Sequence, residues 1–322
     1  MLMIILGCLS MGVANAVVGA VIGTETVFLF MGVAFLCASL AGQASHCARA
    51  GRLLPQLDWS HVAALNLATL MTFGAFYLAL AWIPASLAAG VEAAFAPLAT
   101  LLLALWRKKR APWSVWLLAL SVFACSIAFG ATQAQSSPAG NQYVVGVLLA
   151  LVAGAGMAIL AILSRSLGER GVDASSILAV RYHLAYIVAF GLAARDYGFE
   201  GDIAVLLHDL SWIVPLGLAA VALPLFLIQS GMMRTDPTLT AILMASVPAI
   251  SFLTETTWFG WSHGIASWTL LALLVLLVCV YGVVDQRRSR LSVASAAVSR
   301  DHSERSGLPE GLTAHELISG DT

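Results

Sequence analysis

Charged residues are scarce in this 322-residue chain: they make up 10% of the sequence, whereas hydrophobic residues make up 60%. A soluble globular domain carries about a quarter charged residues. This composition excludes a soluble fold, because there is too little polar surface to cover so much apolar side chain. It also excludes a nucleic-acid-binding face, since the sixteen Lys and Arg are few and clustered and the net charge is −1. The sequence therefore indicates an integral membrane protein, with the lipid bilayer as a partner.

Several chemical signatures are missing as well. The five cysteines form no CxxC pair and four of them lie in apolar runs, so we expect neither a disulfide nor a metal site. No HExxH, GxSxG, P-loop or glycine-rich dinucleotide motif occurs. We therefore expect no enzymatic activity and no cofactor, and any transport would be driven by a gradient rather than by ATP.

Ten apolar windows are long enough to cross a bilayer, because about 20 helical residues cover about 30 Å of hydrocarbon. They are residues 2–22, 26–44, 60–82, 84–106, 112–131, 143–163, 175–194, 211–233, 237–258 and 264–284. We number these predicted spans one to ten. The predicted fold class is an all-α membrane protein of ten transmembrane helices.

Positive charges fall on alternate loops. If the N-terminus is cytoplasmic, the inner loops and the C-terminal tail hold nearly all Lys and Arg, and the outer loops hold only Arg195. This asymmetry is the positive-inside pattern. It predicts a multi-pass protein of the cell membrane with both termini in the cytoplasm.

A polar external linker, residues 132–142, divides the spans into a first five-helix repeat (1–131) and a second one (143–284). Because each half holds an odd number of spans, the second half inserts with the opposite orientation. The result is two inverted-topology repeats, an architecture of many secondary transporters. Residues 285–322 are predicted to form a disordered cytoplasmic tail, since they lack an apolar period.

Prolines fall inside the fourth and ninth predicted spans, at Pro97 and Pro248. A proline inside a helix frees a backbone carbonyl, which must then be paired by protein or by a water-lined cavity. Helix breaks at matched places in two repeats point to a substrate cavity. A simple structural kink is the alternative interpretation of each proline.

The segment FYLALAWIPASLAAGVEAAFAPLATLLLAL resembles the helix 3–4 hairpin of the EamA-like family, in the drug/metabolite transporter superfamily. IQSGMMRTDPTLTAILMASVPAISFL is similar to the matching hairpin of that family's second repeat. The resemblance covers roughly residues 1–284. It implies a five-plus-five inverted repeat around a central cavity, and the export of small metabolites.

Three ionisable residues within spans are functional candidates, because charge inside a membrane is costly. Glu92, in the fourth span, is expected to line the cavity as a substrate anchor or proton carrier. Arg181, in the seventh span, would either join it or extend to the cytoplasmic interface. Glu255 lies near the outer end of the ninth span, where an interfacial position is the alternative.

Four polar neutral residues are weaker candidates for the cavity wall, and an interhelical hydrogen bond is the alternative for each. They are Asn15, Asn66, Tyr77 and Gln229.

The resulting hypothesis is a secondary exporter of a small zwitterionic or amphiphilic metabolite, such as an amino acid. A sugar phosphate or nucleotide sugar would need several buried cations, and Arg181 is the only buried cation that the sequence predicts. An intramembrane enzyme or assembly subunit acting on a lipid-linked substrate is the alternative, followed by a channel. The oligomeric state stays open, with a homodimer among the options.

The charge pattern leads to a topology prediction. Cysteines introduced at Lys109 and Arg300 should be labelled only from the cytoplasmic side, and cysteines at Ser136 and Val205 only from outside, because of the positive-inside asymmetry. A membrane-impermeant thiol reagent on intact cells and on inverted vesicles measures this. Labelling of positions 109 and 136 from the same side would contradict the ten-span topology.

Overall fold

The structure is a computed structural model that describes residues 2–52, 55, 57–108, 111–134, 140–197, 203–232, 243–244, 246–261 and 264–306. Within these ranges the regular secondary structure is all helical, and no strand occurs. We number the α-helices α1 (Leu2–Val21), α2 (Val27–Ala50), α3 (Trp59–Thr69), α4 (Ala75–Leu80), α5 (Ala85–Trp106), α6 (Trp113–Ala134), α7 (Gly140–Glu169), α8 (Ala174–Val180), α9 (His183–Tyr197), α10 (Ile203–Gly217), α11 (Leu223–Met232), α12 (Val247–Trp258) and α13 (Ile265–Ser306).

Nine stretches of the described residues are long and apolar enough to cross a membrane. They correspond to the first eight predicted spans and the tenth. The third span consists of α3 and α4, the seventh of α8 and α9, and the eighth of α10 and α11. Much of the ninth window lies outside the described residues, and α12 is the part of it that the structure shows as a helix.

Two short π-helical turns interrupt the third and eighth spans. The first, Leu70–Gly74, joins α3 to α4, and the second, Leu218–Ala222, joins α10 to α11. A π-turn inserts an extra residue into the helix and is frequent at functional sites. The third and eighth spans hold the same place in the two predicted halves of the chain.

Helix packing also relates the two halves. The first span, α1, packs against α11 of the eighth span and α12 of the ninth, whereas α7 of the sixth packs against α4 of the third and α5 of the fourth. The second span contacts the seventh through α2, α8 and α9, and the fifth contacts the tenth through α6 and α13. Exchanging the two halves interchanges the contacts of the first span with those of the sixth. It leaves the second–seventh and fifth–tenth pairings unchanged.

Helix α7 forms the sixth span, and its small residues let it approach the fourth span closely. A Cβ atom added at Gly154 would lie 2.9 Å from the carbonyl oxygen of Glu92, and one added at Gly146 would lie 2.7 Å from the Ile83 side chain. The backbones of α5 and α7 therefore meet at the level of Glu92.

The expected tail and linker differ from the structure. Helix α13 continues past the tenth span to Ser306, so the first part of residues 285–322 is helical rather than disordered, and residues 307–322 lie outside the described ranges. The reason is local, since no Gly or Pro occurs from residue 283 to residue 306 to stop the helix. The linker is likewise shorter than 132–142, because α6 extends to Ala134 and α7 begins at Gly140.

Candidate functional site

The seventh span is interrupted in its first half. Helix α8 ends at Val180 and α9 begins at His183, so Arg181 and Tyr182 lie in a turn between the two helices. An unbroken helix would have bonded the Leu184 amide to the Val180 carbonyl. The Asn66 side chain instead bridges these two groups, donating from Nδ2 to Val180 O at 2.7 Å and accepting at Oδ1 from Leu184 N at 2.8 Å.

Asn66 thus inserts its amide into one hydrogen bond of the helix, which is a recognised cause of a helix break. Its Nδ2 also donates to Val62 O at 2.9 Å, and the side chain is buried. Sequence reasoning missed this break because residues 177–186 contain neither Pro nor Gly. Only the presence of Asn66 on a different helix accounts for it. Asn66 therefore forms interhelical hydrogen bonds, which was the alternative to a place in the cavity wall.

Arg181 is buried at this break, with 5% of its surface exposed, rather than extended to the surface. Its guanidinium donates to the Tyr182 hydroxyl and lies 4.7 Å from the centre of that ring and 5.6 Å from the centre of the Phe73 ring. Such cation–π contacts contribute about 2 kcal/mol or more when desolvated. Within the described part of the chain, no carboxylate lies within 4.0 Å of the guanidinium. Arg181 is thus a buried cation held by aromatic rings.

The aromatic rings extend from Arg181 towards Tyr77. Phe35 stacks on Tyr182 with a 6.0 Å centroid distance and an 11° interplanar angle, and its ring is 5.9 Å from that of Tyr77. Tyr77 is 2% exposed and lies near both Tyr182 and Glu92. The rings of Phe35 and Tyr182 therefore connect Tyr77 with Arg181.

Glu92 is half-buried. It lies in α5, which continues without interruption through Pro97. The helix break expected at Pro97 is therefore wrong, because a proline removes one hydrogen bond and the turns on either side keep theirs.

Glu255 is fully buried inside the bundle. Its Oε1 accepts a hydrogen bond from Ser86 N at 3.0 Å, in the first turn of α5, while Oε2 has no partner among the described residues. The N-cap of α5 is Pro84, which makes no side-chain cap. Glu255 therefore supplies the missing cap from α12, and the positive end of the α5 dipole favours its negative charge.

The remaining candidates lie elsewhere. Asn15 is buried in α1, and its amide nitrogen and oxygen find no partner among the described residues. Pro248 lies in the first turn of α12 rather than in the middle of a helix, a position at which proline is tolerated. Gln229 lies in α11, and its side chain is outside the described residues. The structure thus connects Arg181 with Tyr77 through Phe35 and Tyr182, places Asn66 at the same helix break, and has Glu92 near Tyr77.

Comparison with known proteins bears on the fold alone. No family profile matches the chain, and no curated protein sequence matches it either. A protein of known crystal structure shares its fold with a TM-score of 0.62, over 88% of this chain and 96% of that one, at 20% sequence identity. The resemblance to the EamA-like family therefore remains a prediction.

The bridge by Asn66 leads to a stability prediction. Asn66→Leu should lower the free energy of unfolding by about 1–3 kcal/mol, because it leaves the Leu184 amide unpaired in an apolar interior. It also removes one of the two side-chain hydrogen bonds to the Val180 carbonyl, which keeps His183 Nδ1 at 2.9 Å. Thermal unfolding of the purified protein in detergent measures the change. Asn15→Leu is the matched control and should be neutral or stabilising, since the Asn15 amide bonds to no described residue. An equal effect of the two substitutions would contradict the bridge.

Proposed function

We propose that this protein is a secondary active transporter of the cell membrane that exports a small zwitterionic or amphiphilic metabolite, such as an amino acid. The observation that carries the proposal is the interrupted seventh span, which holds Arg181 inside the bundle without a carboxylate partner among the described residues. Burying an arginine in this way is costly. A substrate carboxylate that binds the guanidinium would offset that cost.

Two features support a ten-span inverted repeat for this transporter, and the charge asymmetry of the loops supports cytoplasmic termini. The pairings between spans are preserved when the two halves are exchanged, and the two π-turns occur in corresponding spans. Transporters with inverted repeats bind substrate between the halves, beside discontinuous helices. The break at Arg181 lies in the seventh span, which packs against the second span of the other half.

The charges of the site support the substrate class. Arg181 offers one guanidinium, and Glu92, which lies near Tyr77, offers one carboxylate. A zwitterion matches one cation and one anion, whereas a polyanion such as a sugar phosphate needs several charge-assisted donors. The surrounding rings of Phe35, Phe73 and Tyr182 suit an apolar or amphiphilic side chain.

Transport by purified protein in proteoliposomes tests this function. With an imposed pH gradient, uptake of a mixture of radiolabelled neutral amino acids should exceed that of empty liposomes, whereas uptake of a labelled sugar phosphate should not. Robust transport of the sugar phosphate would contradict the substrate class. The absence of gradient-driven transport for all neutral and zwitterionic metabolites screened would contradict the function.

Glu92 leads to a sharper prediction within the same assay. Glu92→Gln keeps the size and the hydrogen-bonding capacity of the side chain but removes its charge and its titration. We expect at least about tenfold slower gradient-driven transport, equivalent to about 1.4 kcal/mol, because the group would neither carry a proton nor hold a substrate ammonium. Glu25→Gln, at an exposed position, is the matched control. Wild-type transport by Glu92→Gln at equal protein density would remove Glu92 from the mechanism.

A further inference from the structure

An open cleft of about 400 Å³ lies at the end of the bundle that we propose to face the cytoplasm. It is lined by the end of α2, the chain that leads to α3, and the start of α8. The volume is within the range of about 300–1,000 Å³ that small-molecule sites occupy. The polar lining side chains are His46, Arg52, Asp173 and Ser176.

The packing of α2 on α8 builds one wall of this cleft. A Cβ atom added at Gly42 would lie 2.7 Å from the Leu178 carbonyl carbon, so the two backbones are in contact. One turn later, His46 faces Ser176, with its Nδ1 atom 3.2 Å from the Ser176 hydroxyl. His46 is 5% exposed, and its Nε2 atom has no partner among the described residues. The wall therefore contains a buried polar atom that no described residue satisfies.

A tight turn places the carboxylate of the cleft. Helix α7 ends in a Schellman motif, in which Val172 N bonds to Leu167 O at 3.1 Å and Gly171 adopts a φ of 82°. Asp173 follows Val172 and caps α8. Its carboxylate accepts from Ser176 N at 2.6 Å and from the Ser175 hydroxyl at 2.9 Å. This arrangement holds the Asp173 carboxylate at the edge of the cleft.

Asp173 is negatively charged at neutral pH. Partial burial raises the pKa of its carboxyl group, but the hydrogen bonds from Ser176 and Ser175, together with the nearby His46, outweigh burial and lower the pKa below its usual value. Arg52 is an exposed cation in the same lining. Among the described residues, no carboxylate lies within 4.0 Å of its guanidinium. The cleft thus presents one positive and one negative charge that do not neutralise each other.

We propose that this cleft binds a small zwitterion, with the ligand carboxylate at Arg52 and the ligand ammonium at Asp173. Two unpaired opposite charges in one cleft are complementary to a molecule that carries both charges, and less so to a simple anion or cation. If the cleft loads the exported substrate, this inference rests on the proposed function. The claim that the cleft binds a zwitterion does not require that the protein transports it.

The test measures access to the cleft directly. The purified full chain carries Ala50→Cys, a position in the cleft lining, with Cys47→Ser to remove the neighbouring thiol. Alkylation at position 50 is followed by peptide mass spectrometry, with and without a mixture of neutral L-amino acids. We expect the mixture to slow alkylation at least threefold. The corresponding amino alcohols, which lack the carboxylate, and the N-acetyl amino acids, which lack the ammonium, should have little effect.

Two variants test whether the slower alkylation at position 50 depends on the charges of Arg52 and Asp173. Arg52→Gln and Asp173→Asn should each abolish it, and asparagine keeps the helix cap, so Asp173→Asn isolates the loss of charge. Arg49→Gln is the matched control and should preserve it, since Arg49 is exposed but does not line the cleft. Protection that persists in Arg52→Gln, equal protection by the amino alcohols or N-acetyl forms, or no protection by the amino acids would overturn the proposal.

The outcome is separable from that of the transport assay. Protection at position 50 without transport in proteoliposomes would retain the binding site and reject the transporter. Transport without protection would reject the cleft as a zwitterion site and retain the transporter.

Discussion

The pairing of backbone hydrogen-bonding groups in an apolar interior is the constraint on which this structure depends. A helix satisfies these groups internally, and any break must be repaired by other protein groups or by enclosed water. At the break in the seventh span the repair comes from Asn66, whose amide replaces the bond between Val180 and Leu184. The break in turn places Arg181 and Tyr182 in the turn between α8 and α9. The candidate site therefore exists because one side chain on α3 pairs two backbone groups of another span.

The buried charges are held by dipoles and rings instead of by opposite charges. Arg181 lies against the rings of Phe73 and Tyr182, and Glu255 accepts from the first turn of α5. Neither arrangement neutralises the charge completely. A group stabilised in this way can still respond to a substrate or a proton, whereas a fully paired ion pair would respond less. Glu255 also joins the two halves of the chain, because it lies on α12 and the helix that it caps belongs to the first half.

Polar side chains connect the cleft with the central site. From His46, the same face of α2 leads to Gln43, which is 3.3 Å from His183 at the start of α9. Asn66 follows through its bond to Val180 O, and Arg181 is the next residue along the chain.

The sequence by itself determined the class of structure. Scarce charge and long apolar runs specify helices that could cross a membrane, because hydropathy is a sum over neighbouring residues and needs no knowledge of contacts. The same local reasoning identified Arg181 and Glu92 as unusual. Tertiary structure decided what these residues face. Asn66 and Val180 are 114 positions apart, and Ser86 and Glu255 are 169 apart, so no local pattern could reveal the break at Arg181 or the cap of α5. Pro97 misled for the same reason, since a missing N–H breaks a helix only where the turns on either side do not hold it together.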